Sequence, residues 1–435
     1  MTISELYEHY LACHSVTTDS RNCPTGSIFF ALKGDKFDGN RYAQKAVDNG
    51  CSYAVVDEEQ YAPAGDRRYV LVPDALQALQ QLANMHRRNF HHPVIQITGT
   101  NGKTTTKELT AAVLSKKYRV LATEANYNNH IGVPKTLLRL TADDNMAVIE
   151  TGANHPGEIK ALADIVEPDY GLITNVGRAH LEGFGSFEGV IRTKGELYDY
   201  LRQKAGSKVF IHGENPYLAN ISAGLELVKY GEPGHDDYLV EGESLPSDTP
   251  YLAGRWRKVG EKQWHHADTR LIGDYNMYNI LAAACIGTYF GVDGEDINRA
   301  IEEYVPKNDR SELRNTDNNT LIVDAYNANP TSMRASLLNF MGMKGDNKMV
   351  ILGDMGELGD ASEEEHQKIV DLLKQSDIAT VWLVGDNFRK AKHEFRTFSN
   401  VEEVEDELHH RPVKGHFILI KGSNRTRLYQ LPDYL

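Results

Sequence analysis

The chain has 435 residues, 25% of them charged, and a formal net charge of -14 at pH 7. This length is too great for one ordinary hydrophobic core and predicts about three domains. The acidic balance argues against a nucleic-acid partner, because a surface that binds a polyanion needs an excess of basic side chains. No apolar run reaches the roughly 18 residues of a membrane-spanning helix, and the N-terminus lacks a secretory signal, so we expect a cytoplasmic protein without a membrane partner.

The cysteines show no pattern that suggests a disulfide framework or a zinc site. None of the four stands in a CxxC pair or at metal-ligand spacing with the 17 histidines. We therefore predict that all four are reduced: Cys13, Cys23, Cys51 and Cys285.

The first segment, predicted as a domain of residues 1–88, contains short apolar runs followed by one amphipathic helix. The helix is predicted over 74–90, because apolar residues recur at three- and four-residue spacing behind an Asp74 N-cap; they are Leu76, Leu79, Leu82 and Ala83. Pro93 stops this pattern, and residues 89–93 fit a linker.

The second segment, residues 89–304, alternates apolar strands with helical patterns. Strands that each precede a helix are predicted at Val94–Thr98, Met146–Glu150 and Tyr170–Val176. Such alternation predicts a mostly parallel sheet whose ligand lies beyond the carboxyl ends of the strands. Residues 225–272 lack a helix signal and predict an antiparallel patch, after which a helix begins near Asn276.

The third segment, residues 305–435, repeats this alternation. Its predicted strands are Thr320–Ala325, Lys348–Gly353, Ala379–Gly385 and His416–Lys421. They predict a second open parallel sheet with its own helices, so the whole chain is assigned to the α/β class.

A glycine- and threonine-rich turn, TGTNGKTT, follows the first strand of the second segment and opens a helix at about Lys103. This arrangement brings backbone N–H groups, the lysine ammonium and the helix dipole to one anionic site. Lys103 and Thr104 occupy the phosphate and magnesium positions of a P-loop, although Ile97 stands where the strict pattern has its first glycine. We predict an ATP site here; the alternative is an ordinary strand-to-helix turn.

Three more ionisable side chains follow the strands of the second segment. Glu150 ends the second strand and is predicted to bind magnesium beside Thr104, because magnesium takes oxygen ligands. His180 follows the third strand as a candidate metal ligand, and Lys194 lies on the next helix. The alternatives are a surface acid, a structural histidine and a solvated lysine.

Two asparagine-rich loops belong to different segments: EANYNNHIGVP at 124–134 and DAYNANP at 324–330. Amide side chains offer both donors and acceptors to a neutral polar substrate. Surface loops are also rich in asparagine, but two such loops in two domains predict a substrate held between the domains.

With these motifs, the chain resembles the Mur ligases. The resemblance runs from TDSR near the N-terminus to the closing KGS, nearly the whole chain, and rests on TGTNGKTT, NYNNHIGVPKTLL, ETG, ITNVGRAHLEGFGSFEGVIRTKGE, DAYNANPTSM, ILGDMGELG and KGS. YNANP and GDMGELG are the most specific of these motifs, since sibling ligases of the family lack both.

The resemblance implies three domains: a small N-terminal α/β domain for a uridine nucleotide, a central P-loop ATPase domain and a C-terminal Rossmann-like domain that closes over the acceptor. It implies an ATP-dependent ligase that joins D-alanyl-D-alanine to UDP-N-acetylmuramoyl-tripeptide through an acyl phosphate, in peptidoglycan precursor synthesis. The implied cofactors are ATP and two magnesium ions, and the implied state is a monomer.

The resemblance also implies roles for individual residues. The ATP site would comprise Thr100, Asn101, Gly102, Lys103, Thr104, Thr105, Asn279 at adenine, Arg310 at the phosphates and Asp324 at the ribose. The metal ligands would be Thr104, Glu150, His180 and Lys194 as a carbamate, and the catalytic set would be Lys103, Glu150, His180 and Lys194. The other substrates would contact Ser20, Arg21, Asn128, Asn129, Tyr326, Asn327, Asn329 and His366.

The chain departs from the family pattern at three positions. Asn40 and Tyr275 stand where the family usually has histidine, and Asn424 interrupts the closing KGSRG motif.

Other functions are consistent with parts of this pattern. A sibling ligase that adds the third residue of the stem peptide, or a folylpolyglutamate-type ligase, would use the same chemistry. A P-loop phosphotransferase or nucleotide switch would make no amide, and ATP consumption without dependence on an amine would favour it.

Overall fold

The computed structural model describes residues 2–306 and 311–435. Arg310, which the resemblance assigns to the ATP phosphates, lies outside the described residues. The described chain forms three main sheets of four, nine and six strands in chain order, with helices packed on them. This architecture confirms the predicted α/β class.

The first sheet is small and parallel. The strands of this part of the chain are β1 (Val16–Thr17), β2 (Ile28–Phe30), β3 (Lys33–Gly34), β4 (Phe37–Asp38), β5 (Tyr53–Val56) and β6 (Tyr69–Leu71). The sheet order is β1-β2-β5-β6, while β3 and β4 form a separate two-stranded hairpin. The helices are α1 (Ile3–Cys13), α2 (Ala43–Asp48) and α3 (Ala75–Arg88).

The predicted amphipathic helix is confirmed as α3. The Asp74 side chain accepts a hydrogen bond from Gln77 N at 2.8 Å and caps the helix, which ends at Arg88, two residues before the predicted end. Leu79 and Leu82 of its apolar face are fully buried.

The second sheet is the largest. Its strands are β7 (Val94–Thr98), β8 (Val120–Ala122), β9 (Met146–Glu150), β10 (Tyr170–Ile173), β11 (Lys208–His212), β12 (Leu227–Gly231), β13 (Val240–Leu245), β14 (Tyr251–Lys258) and β15 (His265–Ile272). Their order is β15-β14-β13-β12-β11-β10-β7-β9-β8. The helices are α4 (Lys103–Leu114), α5 (Gly132–Leu137), α6 (Glu158–Val166), α7 (Leu181–Phe184), α8 (Phe187–Gln203), α9 (Pro216–Ile221), α10 (Asn276–Tyr289) and α11 (Gly294–Glu303).

Two expectations for this sheet need correction. The predicted strand Tyr170–Val176 ends at Ile173, because Thr174 turns toward the glycine-rich turn, where its Oγ1 donates to Asn101 O at 2.6 Å. The segment 225–272 is only partly antiparallel: β12 and β13 pair in parallel, and only β14 runs against its neighbours. A loop without a helix connects β12 to β13, so the lack of a helix signal did not indicate antiparallel pairing.

The third sheet is parallel except at one edge. Its strands are β16 (Glu312–Asn315), β17 (Thr320–Asp324), β18 (Lys348–Gly353), β19 (Thr380–Val384), β20 (Arg396–Phe398) and β21 (Phe417–Lys421). Their order is β16-β17-β21-β18-β19-β20, and β16 is antiparallel to β17. The helices are α12 (Pro330–Gly342), α13 (Ser362–Lys374), α14 (Asp386–Lys390) and α15 (Val401–His410). All four predicted strands are present, with ends that differ by at most one residue, whereas β16 and β20 were not predicted.

Short 3-10 segments complete the secondary structure; they are Gly39–Tyr42, Glu59–Tyr61, Gly359–Ala361, Asn424–Thr426 and Leu428–Tyr434. All four cysteines are free thiols, as predicted. In the part of the chain that the structure describes, no helix has the length and apolar character needed to cross a membrane.

The C-terminal end of α3 connects the first part of the chain to the second sheet. Arg87 is buried and donates to the carbonyl oxygens of Val166 at 2.8 Å, Phe90 at 2.8 Å and Glu167 at 2.9 Å. Its guanidinium also forms an ion pair with Asp169 at 3.1 Å. One side chain therefore satisfies several backbone acceptors where the chain crosses between two sheets.

Replacing Arg87 by methionine should destabilise the protein, because the apolar stem remains but every donor is lost. We expect the free energy of unfolding to fall by roughly 3 kcal/mol, because three backbone carbonyl oxygens lose their donor, while Lys204 still pairs with Asp169 at 2.7 Å. Urea denaturation followed by circular dichroism measures this change in the free energy of unfolding. The control is Arg88→Met, since the Arg88–Glu167 ion pair lies at the surface and contributes about 0–1 kcal/mol. Equal losses in both variants would contradict this account.

Candidate active site

A cavity of about 830 Å³ opens at the carboxyl ends of the strands of the second sheet. Helix α3, the turn after β7, and the loops after β9, β10, β17 and β21 contribute to its walls. Its position agrees with the expectation for an open parallel sheet, and its size is that of a small-molecule site.

The cavity brings together most of the residues predicted for the site. Those that line it are Thr100, Asn101, Gly102, Lys103, Thr104, Thr105, Asn128, Asn129, Glu150, His180, Asn279, Asp324, Tyr326, Asn327 and Asn329.

The turn between β7 and α4 depends on two glycines. Gly99 has φ of 143° and Gly102 has φ of 77°. A Cβ at Gly99 would lie 2.0 Å from Thr174 Oγ1, and one at Gly102 would lie 2.6 Å from Asn279 Oδ1. Only glycine fits both positions without movement of a neighbour. The turn ends where α4 begins, at Lys103, as predicted.

Asn175, just past the end of β10, holds the turn in place. Its carbonyl oxygen accepts from Thr100 N at 3.0 Å, and its Oδ1 accepts from Asn101 N at 3.0 Å. Its Nδ2 donates to Asn101 O at 3.0 Å. No role was predicted for Asn175, because the predicted strand Tyr170–Val176 included it, whereas the observed strand ends at Ile173.

The Lys103 ammonium folds back over the turn. Its Nζ donates to the carbonyl oxygens of Gly99 at 2.8 Å and Thr100 at 3.0 Å. This cation stands at the N-terminus of α4, where the helix dipole is also positive and the first N–H groups lack partners within the helix. The turn is therefore suited to an anion such as a phosphate.

Glu150 is only 1% exposed, so it is not a surface acid. Its Oε1 accepts from Thr104 Oγ1 at 3.2 Å and from Asn128 Nδ2 at 2.8 Å. Its Oε2 is buried and has no hydrogen-bond partner among the described residues. Because an uncompensated buried carboxylate oxygen is costly, Oε2 is suited to ligate a cation.

The chemistry of these donors fits a hard divalent cation, which prefers oxygen ligands. Within residues 2–306 and 311–435, no cluster of three or more His, Cys, Asp or Glu side chains could hold a metal ion by itself. A cation at Glu150 Oε2 would therefore need further ligands of another kind, such as the Thr104 hydroxyl, a modified side chain or a phosphate.

Lys194 lies on α8 and is only 2% exposed, which excludes the alternative of a solvated lysine. Its Nζ donates to Ala153 O at 3.4 Å and lies 5.3 Å from the centre of the Phe184 ring. In the described part of the chain it has no salt bridge with a carboxylate. Burial, together with the nearby charge of Lys103, lowers the pKa of the Lys194 amine to about 7.

His180 precedes α7 and meets a residue of the third sheet's loops. Its Nδ1 contacts Oε2 of Glu357, in the loop that follows β18. The close contact with the His180 imidazole holds the pKa of the Glu357 carboxyl below its usual value. Glu357 lies within the GDMGELG motif, but sequence analysis gave it no role.

Two asparagines of the central part of the chain are held by other protein groups. Asn129 Oδ1 accepts from Gly132 N at 2.9 Å at the start of α5. Asn279 Oδ1 accepts from Thr106 Oγ1 at 3.0 Å, and its Nδ2 donates to Asn276 Oδ1 at 2.8 Å. Much of the hydrogen-bonding capacity of Asn279 is therefore used against the P-loop helix.

The loop after β17 forms the opposite wall of the cavity. Asp324 Oδ2 accepts from the buried Lys421 Nζ at 2.5 Å, and the same ammonium donates to Asn327 O at 3.3 Å. Asn329 caps α12 and its Nδ2 donates to Asn101 Oδ1 at 2.8 Å, so it joins the two walls directly. Lys421, in the KGS motif, is a third residue whose part in the site was not predicted, after Asn175 and Glu357.

His366 is not among the residues that line the cavity, and its predicted contact with the dipeptide stays a prediction. The ring is 0% exposed. Its Nε2 accepts from Met355 N at 3.0 Å, and its Nδ1 lies 2.7 Å from Ser362 O, to which it donates. Both nitrogens are thus used to hold the loop after β18, and burial lowers the pKa of the imidazole.

Ser20 and Arg21 lie between β1 and β2 and are not among the residues that line the cavity. Arg21 is exposed and forms an ion pair with Asp19 at 2.9 Å. Ser20 is buried, and its carbonyl oxygen accepts from Asn49 Nδ2 at 2.8 Å. Their predicted contact with a uridine nucleotide stays a prediction.

Comparison with known proteins identifies the family. Three family models match the chain: "Mur ligase family, catalytic domain" at 12–87, "Mur ligase middle domain" at 97–287 and "Mur ligase, glutamate ligase domain" at 309–424. The chain belongs to the Mur ligase family and is an ATP-dependent ligase that forms an amide bond. This decides against a P-loop phosphotransferase or a nucleotide switch.

Within the family, the chain is similar over nearly its whole length to UDP-N-acetylmuramoyl-tripeptide–D-alanyl-D-alanine ligases, the MurF enzymes. That of Bacillus subtilis (strain 168) is 33% identical, with 96% of this chain and 92% of the relative covered; that of Escherichia coli (strain K12) is 32% identical, with 92% and 86% covered. The crystal structure of MurF from Acinetobacter baumannii matches with a TM-score of 0.87 at 30% identity and covers 99% of this chain and 98% of that chain. MurF ligase from Thermotoga maritima, solved in complex with ADP, gives 0.84 at 25% identity, with 98% and 97% covered. The resemblance predicted from the motifs is confirmed.

Gly99→Ala should weaken nucleotide binding, because its Cβ would lie 2.0 Å from Thr174 Oγ1 and displace the turn. Overpacking of this kind costs roughly 1–3 kcal/mol, so we expect ADP affinity to fall about tenfold or more in isothermal titration calorimetry. Gly206→Ala is the control: Gly206 also has positive φ, 76°, but a Cβ there meets nothing within 4 Å. Wild-type ADP affinity in Gly99→Ala would contradict the assigned role of this turn.

Proposed function

We propose that this chain joins D-alanyl-D-alanine to UDP-N-acetylmuramoyl-tripeptide at the expense of ATP, a cytoplasmic step of peptidoglycan precursor synthesis carried out by a monomer. The observation that carries the proposal is one cavity with the phosphate-binding turn on one wall and the asparagine-rich loop 324–330 on the other. The similarity to ligases of that name over nearly the whole chain supports it.

Each part of the chain has a role in this proposal. Residues 1–88 bind the uridine nucleotide through Ser20 and Arg21, residues 89–304 bind ATP, and residues 305–435 close over the acceptor. Asn279, Arg310 and Asp324 contact adenine, phosphates and ribose, respectively. The remaining substrate contacts come from Asn128, Asn129, Tyr326, Asn327 and Asn329.

The reaction has two steps. The terminal carboxylate of the tripeptide attacks the γ-phosphorus of ATP, which forms an acyl phosphate and releases ADP. The amine of the dipeptide then attacks the acyl carbon and loses a proton, and phosphate leaves as the amide forms. The first step brings two anions together, at a cost of about 4 kcal/mol per charge pair at 4 Å and an effective dielectric of about 20. Lys103 and the N-terminus of α4 place positive charge where this cost arises.

Two magnesium ions complete the proposed site. Thr104, Glu150, His180 and a carbamate on Lys194 would hold them, and the buried Oε2 of Glu150 is the observation that supports this. When bound, magnesium supplies positive charge to the transferring phosphoryl group. The family resemblance, not the geometry alone, assigns the carbamate.

The surroundings of Lys194 support the carbamate. In the modification, a neutral amine attacks the carbon of carbon dioxide and then loses a proton, which leaves an anionic group with two oxygens. Burial favours the neutral amine, and the lowered pKa of about 7 means that much of Lys194 is neutral under physiological conditions. The product would turn a buried cation that repels metal into an oxygen ligand.

The test of the activity is phosphate release from ATP by the purified protein, with UDP-N-acetylmuramoyl-tripeptide and D-alanyl-D-alanine each omitted in turn. We expect release only when both are present, together with a product whose mass equals that of the tripeptide substrate plus the dipeptide minus water. Turnover that does not depend on the dipeptide, or that requires a single amino acid instead, would overturn the proposal.

Lys194→Ala should lose activity by roughly a hundredfold or more, because an oxygen ligand at the phosphoryl-transfer site disappears. Acetate should restore part of the rate, since a small carboxylate can occupy the vacated space. The control is Lys160→Ala, in which a surface lysine that pairs with Asp164 is removed. Full activity of Lys194→Ala, or complete loss without rescue by acetate or formate in a folded variant, would argue against the carbamate.

A further inference from the structure

His180 and Glu357 meet across the boundary between the second and third sheets. His180 follows β10, Glu357 follows β18, and the Nδ1 atom of the first contacts the Oε2 atom of the second. Both residues line the cavity. The contact therefore joins a residue of the proposed metal site to a part of the chain that has no other assigned role in metal binding.

Both residues of this contact have an unusual backbone conformation. His180 has φ of 52° and Glu357 has φ of 60°, a left-handed conformation that residues other than glycine adopt only where their surroundings impose it. His180 O accepts from Phe184 N at 3.0 Å, which begins α7. Glu182 N donates to Glu357 O at 3.2 Å, so the two loops are also joined through their main chains.

The loop that carries Glu357 is firmly held in the third sheet. The buried His366 accepts from Met355 N at 3.0 Å, and Met355 and Leu358 are themselves buried. Asp354 accepts from Phe388 N at 3.0 Å. The Glu357 carboxylate is thus presented to His180 from a rigid support, as is expected of a group that orients another side chain.

An imidazole that donates from Nδ1 to a carboxylate keeps its lone pair on Nε2, and this is the form that ligates a metal. We propose that Glu357 is a positioning residue for His180: it fixes the ring and its tautomer, so that docking of the third-sheet domain completes a metal ligand of the central domain. The inference rests on the metal role given to His180 in the proposed function and adds to it the residue that orients this ligand.

A second polar contact at the same boundary provides a matched control. Arg178 forms an ion pair with Glu365 at 3.3 Å, and its backbone N donates to Thr331 Oγ1 at 3.1 Å. Arg178→Ala removes the ion pair while Lys368 still neutralises Glu365 at 2.9 Å. This variant weakens the same boundary two residues from His180 without removing the partner of the imidazole.

The first measurement reads the His180 tautomer in the full-length protein without metal. With ¹⁵N-labelled histidine, long-range ¹H–¹⁵N correlation at mildly basic pH distinguishes protonated from unprotonated ring nitrogens, and His180→Ala assigns the signal among the 17 histidines. We expect a protonated Nδ1 in the wild type, in Glu357→Gln, whose amide oxygen still accepts, and in Arg178→Ala. In Glu357→Ala, the Nε2-protonated form should appear. A wild-type spectrum of Glu357→Ala would overturn the proposal.

The second measurement is Mn²⁺ binding in the presence of ADP, followed by electron paramagnetic resonance of the free ion. Loss of an outer partner of a metal ligand typically lowers metal affinity roughly 10- to 100-fold, which we expect for Glu357→Ala, with substantial recovery in Glu357→Gln. Arg178→Ala should retain wild-type affinity. If His180→Ala and Glu150→Gln weaken binding but Glu357→Ala does not, this inference alone fails; if none of the three weakens it, the proposed metal site fails as well.

Discussion

The rest of the site depends on one constraint in the turn between β7 and α4. The turn must present Lys103 and the N-terminus of α4 to a ligand, while other protein groups donate hydrogen bonds to its carbonyl oxygens. Thr174 and Asn175 meet that need from the neighbouring strand, since both donate to Asn101 O. Close passage of the two segments is possible only because Gly99 has no side chain. The residues that follow β10 therefore bind the turn and do not continue the strand, which explains why β10 ends before its predicted end.

Burial of charge around the turn gives the cavity its chemistry. Among the described residues, the buried Oε2 of Glu150 has no hydrogen-bond partner, and the buried amine of Lys194 forms no salt bridge with a carboxylate. By contrast, Asp324 and Lys421 on the opposite wall are paired at 2.5 Å. Glu150 thus lines the cavity beside the phosphate-binding turn, where a cation brought with the substrates can compensate it, whereas Lys194 is not among the residues that line the cavity. A fold selected for stability alone would pair these groups internally.

Local patterns in the sequence predicted those parts of the molecule that local interactions determine. Helix α3 follows from leucine spacing and a capping carboxylate, and the bounds of β7 and β9 follow from apolar runs that are buried on both faces. The burial of Lys194 and His366 could not be predicted in this way, because each depends on packing between distant segments. Asparagine-rich loops were correctly placed at the cavity, but several of their amides cap helices or join loops, and composition alone does not distinguish these uses.

Polar contacts, together with apolar packing of Leu181 and Ile272 against the core of the third sheet, join the second and third sheets. Asn101 meets Asn329, Arg178 meets Glu365, and His180 meets Glu357. Each can exchange its partner for water at small net cost, so these contacts by themselves hold the two parts together only modestly. A ligand that contacts both walls stabilises only the arrangement in which the two parts are docked. It therefore shifts the population toward that arrangement. All three contacts involve a residue of the phosphate-binding turn or of the loop after β10. Docking of the two parts therefore positions the same segments that would carry out phosphoryl transfer.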